Sequence, residues 1–145
     1  MLSSTCKYGL RAVVYIAGNS KKGEKIGIKK ISGDLDLPMP FLAKILQQIT
    51  KKNILVSSKG PHGGFSLARD PKDIHIIEVV KAIDGEDVFH RCVLHNHNCV
   101  SYENTQGACI LHNDYVRARR KIEKLFENKT VHNLVTTARN PNVLY

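Results

Sequence analysis

The stretch Leu55-Val56-Ser57-Ser58-Lys59-Gly60-Pro61-His62-Gly63-Gly64-Phe65-Ser66-Leu67-Ala68 decides how the rest of the chain is read. Ile54 to Lys59 is one strand candidate and Phe65 to Ala68 is another. Between them Gly60 to Gly64 predict a five-residue hairpin loop. Its glycines let the backbone turn sharply and approach another backbone without a Cβ in the way. A nucleotide-phosphate loop would end in Gly-Lys-Ser/Thr and open a helix. This one does neither, so that reading is excluded.

Working outward, two short helices stand directly before the hairpin. Ile28 to Leu35 places Ile28, Ile31 and Leu35 on one face. Asp36-Leu37-Pro38-Met39-Pro40 then breaks the chain, because each proline biases its predecessor away from the helical region. A second helix runs from about Phe41 to Lys52, with Phe41, Leu42, Ile45, Leu46 and Ile49 as its buried stripe. Its opposite face carries Pro40, Ala43, Lys44, Gln47 and Lys51. Two short helices, a tight turn and a glycine-rich hairpin, in that order, predict a winged helix-turn-helix. The fold class is therefore mainly α with a small β wing.

The flanks complete the organisation. Ser3 to Asn19 reads as an amphipathic helix, with Cys6, Leu10, Val13 and Ala17 on its apolar face. Cys6 there reads as a small buried residue rather than a ligand. Asp70 to Asp73 is a turn and Ile76 to Ile83 a helix. Gly85 to Leu111 has no periodicity and is rich in Cys, His and Asn; loops that long in small domains are usually functional or disordered. His112 to Asn128 is a long helix whose stripe is Leu111, Tyr115, Ala118, Ile122 and Leu125. Thr130 to Ala138 is a last short helix and Arg139 to Tyr145 a tail. The expected division is a winged-helix head at 1–83, a Cys/His loop at 84–111 and a long helix with a tail at 112–145.

Charge supports that division. The 145 residues hold 22 Lys and Arg against 13 Asp and Glu, a net +9. Residues 1–83 carry 14 basic and 6 acidic groups, and the remainder carry 8 and 7. A basic head suggests a polyanion partner by counterion release, although a solvated lysine-rich surface has the same composition. With 42% hydrophobic and 24% charged residues the composition is that of a globular chain. No apolar run approaches a membrane span and the first residues lack a secretory pattern, so the expected location is the cytoplasm.

Cys92, Cys99 and Cys109 are separated by six and nine residues, and His112 follows after two more. His90, His95 and His97 crowd the same loop. Clustered Cys and His in a cytosolic chain suggest metal or redox chemistry more than a structural disulfide. Three thiolates and one imidazole suit tetrahedral zinc or an iron–sulfur cluster. Unligated thiols that pair only under oxidation are the alternative. Enzymology has little support, because nothing marks an oxyanion hole or a third orienting group beside a Cys–His pair.

Lys7-Tyr8-Gly9-Leu10-Arg11-Ala12, the hairpin stretch and the three-cysteine loop, in this order, resemble the IscR/NsrR (Rrf-type) family of bacterial transcription regulators. The resemblance covers nearly the whole chain. It implies a homodimer with winged-helix heads, whose long helix after the cysteine loop crosses to the partner; packing of that helix within one subunit is the alternative. It implies that Cys92, Cys99 and Cys109 hold an iron–sulfur cluster ([2Fe–2S] or [4Fe–4S]), with His112 where the IscR branch places its non-cysteine ligand. The gaps of six and nine are longer than the family's usual spacing, and Ala43-Lys44 replaces the Glu-Gln pair of IscR-like members.

On that reading the protein is a repressor of double-stranded DNA targets whose affinity follows the cluster's state. Pro40, Ala43, Lys44 and Gln47 face the major groove, with Lys44 and Gln47 as base contacts. Lys59 and the tip Gly60, Pro61, His62 and Gly63 reach the minor groove or backbone. Arg11, Lys29, Lys30 and Lys51 contact phosphates. A cluster-free thiol switch, a structural-zinc regulator and a metal or cluster carrier without DNA binding are the alternatives.

Overall fold

The structure is a computed structural model and describes residues 2–20, 24–94 and 110–137. Helix α1 (Ser4–Asn19) is capped by Ser3, whose side-chain oxygen accepts the Cys6 N–H at 2.9 Å. Helix α2 (Ile28–Leu35) ends on Asp36 in the left-handed region, φ 52°. The turn after it is closed twice: Leu37 N–H donates to Ser32 O at 3.0 Å, and the Ser32 hydroxyl donates to Leu37 O at 2.6 Å. Buried Leu37 anchors the turn from within.

Helix α3 (Met39–Lys51) starts earlier than its two prolines led us to expect. Pro40 sits in the first turn, where backbone N–H groups have no intrahelical acceptor to lose, so its ring costs nothing there. Leu42, Ile45, Leu46 and Ile49 are buried, as the periodicity predicts.

Strands β1 (Leu55–Ser58) and β2 (Gly64–Leu67) form the hairpin, in antiparallel register from Leu55↔Leu67 to Ser58↔Gly64. Gly64 thus belongs to the strand and not to the loop. On its other edge β2 is bridged by Ile26, which exchanges two 2.9 Å backbone hydrogen bonds with Phe65. That bridge explains Gly64. Its φ is +151°, and a Cβ there would lie 2.4 Å from the Ile26 carbonyl oxygen.

Helices α4 (Ile76–Asp84), α5 (His112–Glu127) and α6 (Val131–Thr137) complete the chain. The main core joins Ala12, Val13 and Ile16 of α1 to Ile31, the α3 stripe, Ile54, Leu55, Ile74 and Val79. Val131 of α6 belongs to the same core, and its N–H donates to Ile74 O at 2.9 Å. The expected division at residue 83 therefore does not divide the core. A small helical head buries little apolar area by itself, and α6 adds to it. At Gly9, α1 meets α3 and α4 so closely that a Cβ would sit 2.2 Å from Ile83 Cδ1 and 3.2 Å from Ile45 Cγ2.

A second cluster gathers Cys6, Ile76, Ile77, Val80, Val88 and Phe89, with Ile122 and Phe126 of α5 packed on it. Phe89 and Phe126 meet edge to face at 6.0 Å. The expected α5 stripe is thereby split. Ile122 packs on this second cluster, whereas Leu111 and Leu125 remain about half exposed (47% and 51%) and Ala118 is exposed. On a 3.6-residue helix Leu111, Ala118 and Leu125 stand within about 40° of one another, and Ile122 and Phe126 follow on one flank, about 60° and 100° from Leu125. Arg119 is the buried residue of α5.

Candidate nucleic-acid interface

Helix α3 buries its apolar stripe, and that fixes what its other side offers. Pro40, Lys44, Gln47 and Lys51 are exposed and Ala43 half-exposed, so the structure brings these five candidates to one helix surface. No acidic residue stands in its first turn, and Lys51 lies in its last. The positive end of the helix dipole is therefore left uncompensated by side chains. Gln48 and Met39, which sequence reading passed over, are exposed on the same helix.

At the hairpin tip Lys59, Gly60, Pro61 and His62 are exposed and Gly63 half-exposed. Gly63 N–H donates to Gly60 O at 2.9 Å and closes the loop on itself. Among the described residues, no ion pair engages Lys29, Lys44, Lys51 or Lys59. Their charge is available to an anionic partner.

Two expected phosphate contacts differ. Lys30 is paired with Asp34 at 2.9 Å, and that carboxylate also accepts the Tyr15 hydroxyl. Those bonds, Tyr15 first and Lys30 second, hold the Asp34 carboxyl below its usual range. Arg11 is half-buried with its guanidinium 5.8 Å from the Tyr8 ring centroid. The Lys30–Asp34 pair was open to sequence reading through its i, i+4 spacing. The Tyr15 hydroxyl was not.

Of the sensor-loop candidates the structure describes Cys92 and His112. Cys99 and Cys109 lie outside the described residues, as do His95 and His97. Cys92 is half-buried, and its Sγ accepts the Leu94 N–H at 3.4 Å. His112 is the first residue of α5. Cys6 is fully buried; desolvation, reinforced by the Asp84 carboxylate, pushes its thiol up to about 12. It is a protonated core side chain.

The segment leading into the loop is firmly tied. Arg91 Nη2 donates to Asp84 O and to Asp87 Oδ1, both at 2.9 Å, and its Nε reaches Asp87 Oδ2 at 3.3 Å. The Arg91 carbonyl accepts Arg119 Nη1 of α5 at 2.9 Å. The Asp87–Arg91 pair has the same i, i+4 spacing as Lys30–Asp34, whereas the contacts to Asp84 O and from Arg119 had no sequence signal.

A family model described as "Rrf2: Iron-dependent Transcriptional regulator" matches residues 2–137. The chain belongs to the Rrf2 family. A helix-turn-helix-type transcriptional regulator of Aquifex aeolicus is 30% identical over 135 residues, covering 93% of this chain and 91% of that one. Two solved structures share the fold. CymR, the global cysteine regulator of B. subtilis, superposes with a TM-score of 0.75 at 18% identity, covering 95% of this chain and 98% of that one. IscR of T. potens does so with a TM-score of 0.75 at 19% identity, covering 97% and 90%. The expected winged helix is therefore the fold of this Rrf2 chain. The function is transcription regulation through DNA binding and not catalysis. Among the described residues no helix is long and apolar enough to cross a membrane.

Proposed function

We propose that this Rrf2-family regulator is a cytoplasmic homodimeric repressor whose operator affinity is set by an iron–sulfur cluster in the 92–112 loop. The observation that carries the reading is where the loop is attached. Its first thiol, Cys92, follows Arg91, whose carbonyl is held by Arg119 of α5, and its last donor, His112, opens α5 itself. A change at the loop therefore acts on α5 from both ends.

The described donors fit a cluster. The half-buried Cys92 Sγ accepts the Leu94 N–H at 3.4 Å, the kind of backbone hydrogen bond that cluster-ligating sulfurs receive. Cys92, Cys99 and Cys109 with His112 would hold it, and bound there it supplies a redox- and nitric-oxide-reactive centre. Leu111, Ala118 and Leu125 leave an apolar edge on α5 for a second copy of the chain. Lys44 and Gln47 read base edges, Lys59 and the loop tip follow the adjacent groove or backbone, and Lys29 and Lys51 hold phosphates.

Anaerobic purification, with an absorbance spectrum and iron, sulfide and zinc analysis, tests the proposal alongside gel retardation of promoter DNA over a salt series. Brown protein with stoichiometric iron and sulfide, and retardation that weakens steeply with salt, supports it. Colourless protein with one zinc per chain replaces the cluster with a structural metal. Metal-free protein whose DNA binding responds to thiol oxidants replaces it with a cysteine switch. Absence of retardation leaves a carrier.

A further inference from the structure

The chemistry of the loop and the recognition helix are far apart in sequence, and one residue is bonded toward both. Arg91 precedes Cys92. Its side chain is clamped on the C-terminal end of α4 through Asp84 O and the two Asp87 carboxylate oxygens. Asp84 in turn caps α1: its Oδ2 accepts the Ser3 N–H at 2.9 Å, and Oδ1 accepts the Ser3 hydroxyl. At Gly9, α1 lies directly against Ile83 of α4 and Ile45 of α3. The guanidinium of Arg91 is thus linked, through a carboxylate and a close helix crossing, to the helix that presents Lys44 and Gln47.

The backbone of the same residue points the other way. Arg91 O accepts Arg119 Nη1 at 2.9 Å, and Arg119 is only 5% exposed. Its Nε is buried without a hydrogen-bond partner among the described residues, and its guanidinium lies 5.5 Å from the Tyr115 ring centroid. A buried guanidinium with an unsatisfied N–H is costly, and such a group calls for a physical explanation. A small movement of the 91–92 peptide changes how well that charge is satisfied. Repacking of α5 is the way to relieve it.

We propose that Arg91 is the positioning residue that couples the state of Cys92 to the DNA-binding surface. Its side chain holds the end of α4, where Asp84 in turn holds the α1 cap, while its carbonyl holds α5 through buried Arg119. This rests on the reading that the loop controls DNA binding. The physical basis is an element whose arrangement both sites bias, not proximity in space.

The test uses the full-length protein and fluorescence anisotropy of a promoter fragment that the wild type retards. Binding is measured after anaerobic incubation with dithiothreitol and again after the thiol oxidant diamide. In the wild type the two dissociation constants differ by about 5-fold or more. Arg91→Ala keeps the reduced-state constant within about twofold and brings the ratio of the two states close to one, as Cys92→Ser also does. Arg119→Met, which removes the guanidinium at similar length, lowers the ratio likewise. If Arg91→Ala fails to fold, Asp87→Asn loosens the same clamp without touching the loop, and the same loss of ratio is expected. Wild-type-like ratios in Arg91→Ala or Asp87→Asn overturn the proposal, as does a weaker reduced-state affinity with the ratio unchanged. A wild type without any difference between the states instead overturns control of DNA binding through the thiol state of Cys92, and the coupling with it.

Discussion

Lys30 donates its ammonium to Asp34 Oδ2 at 2.9 Å, and the hydroxyl of buried Tyr15 donates to the same oxygen. One carboxylate thereby joins α1 to α2, the first helix of the helix-turn-helix. The two interactions hold Asp34 below its ordinary range, and the pairing raises the Lys30 pKa. Lys29, its neighbour, is exposed and has no ion pair among the described residues.

The two adjacent lysines are therefore expected to differ on DNA. Lys29→Ala should weaken binding of a promoter fragment and reduce its salt dependence by about one unit of slope. Lys30→Ala should change affinity by less than about 0.5 kcal/mol, since a lysine held by a carboxylate releases no counterion. Anisotropy titrations at several salt concentrations decide. Equal losses for both variants would mean that the Asp34 pair opens on DNA.

Lys59→Ala should weaken operator binding by about 1–3 kcal/mol, the scale of one groove contact. The structure leaves Lys59 exposed at the end of β1 with no competing ion pair among the described residues. Unchanged affinity at fixed salt would remove the wing from the interface.

Gly64→Ala should destabilise the fold by about 2 kcal/mol or more, combining a positive φ with a Cβ forced onto the Ile26 carbonyl. Gly33→Ala is the control: it is helical, nothing lies within 4 Å of its Cβ, and a gain of about 0.4–1 kcal/mol is expected. Urea midpoints measured for both variants at constant m-value test the pair. A stable Gly64→Ala protein would show that the Ile26 bridge is dispensable.

The Cys6 thiol titrates near 12 in the folded protein against 9.0 in an ordinary setting. The folded state therefore holds this proton more tightly than the unfolded chain does. Its contribution to stability is complete below about pH 9 and drains as pH rises toward 12. Between about pH 9 and 11 the wild type should lose stability more steeply than Cys6→Ala. Parallel melting-temperature profiles would contradict the burial argument.

Leu111→Asp combined with Leu125→Asp should leave the subunit folded, because both side chains are already about half exposed. Sedimentation velocity should then report a monomer, with operator affinity reduced. A dimer that survives both charges would move the interface off this edge of α5.

Much of the head was legible because its signals are local. The α3 stripe of Leu42, Ile45, Leu46 and Ile49 follows from helical spacing, and the wing follows from two short strands flanking Gly60 to Gly64. Pro40 misled by two residues, since a proline's effect depends on whether it falls in a helix's first turn. The α5 stripe was read as one surface. Its periodicity was real, but periodicity says only that a face is apolar and not which neighbour covers each part of it.

By itself, then, the sequence determined the order of elements, the basic head and the cysteine–histidine loop, all of which reside in near-neighbour spacing and composition. Tertiary structure decided the rest: that Lys30 is held by Asp34 beneath Tyr15, that α6 shares the main core, and that Arg119 is buried under Arg91. Tyr15 and Asp34 are 19 positions apart, Arg91 and Arg119 are 28, and Ser3 and Asp84 are 81. A hydrogen bond forms between groups that the folded chain brings within about 3 Å. Whether it does so depends on how the helices pack, and packing is a property of the whole core rather than of any one stretch of residues.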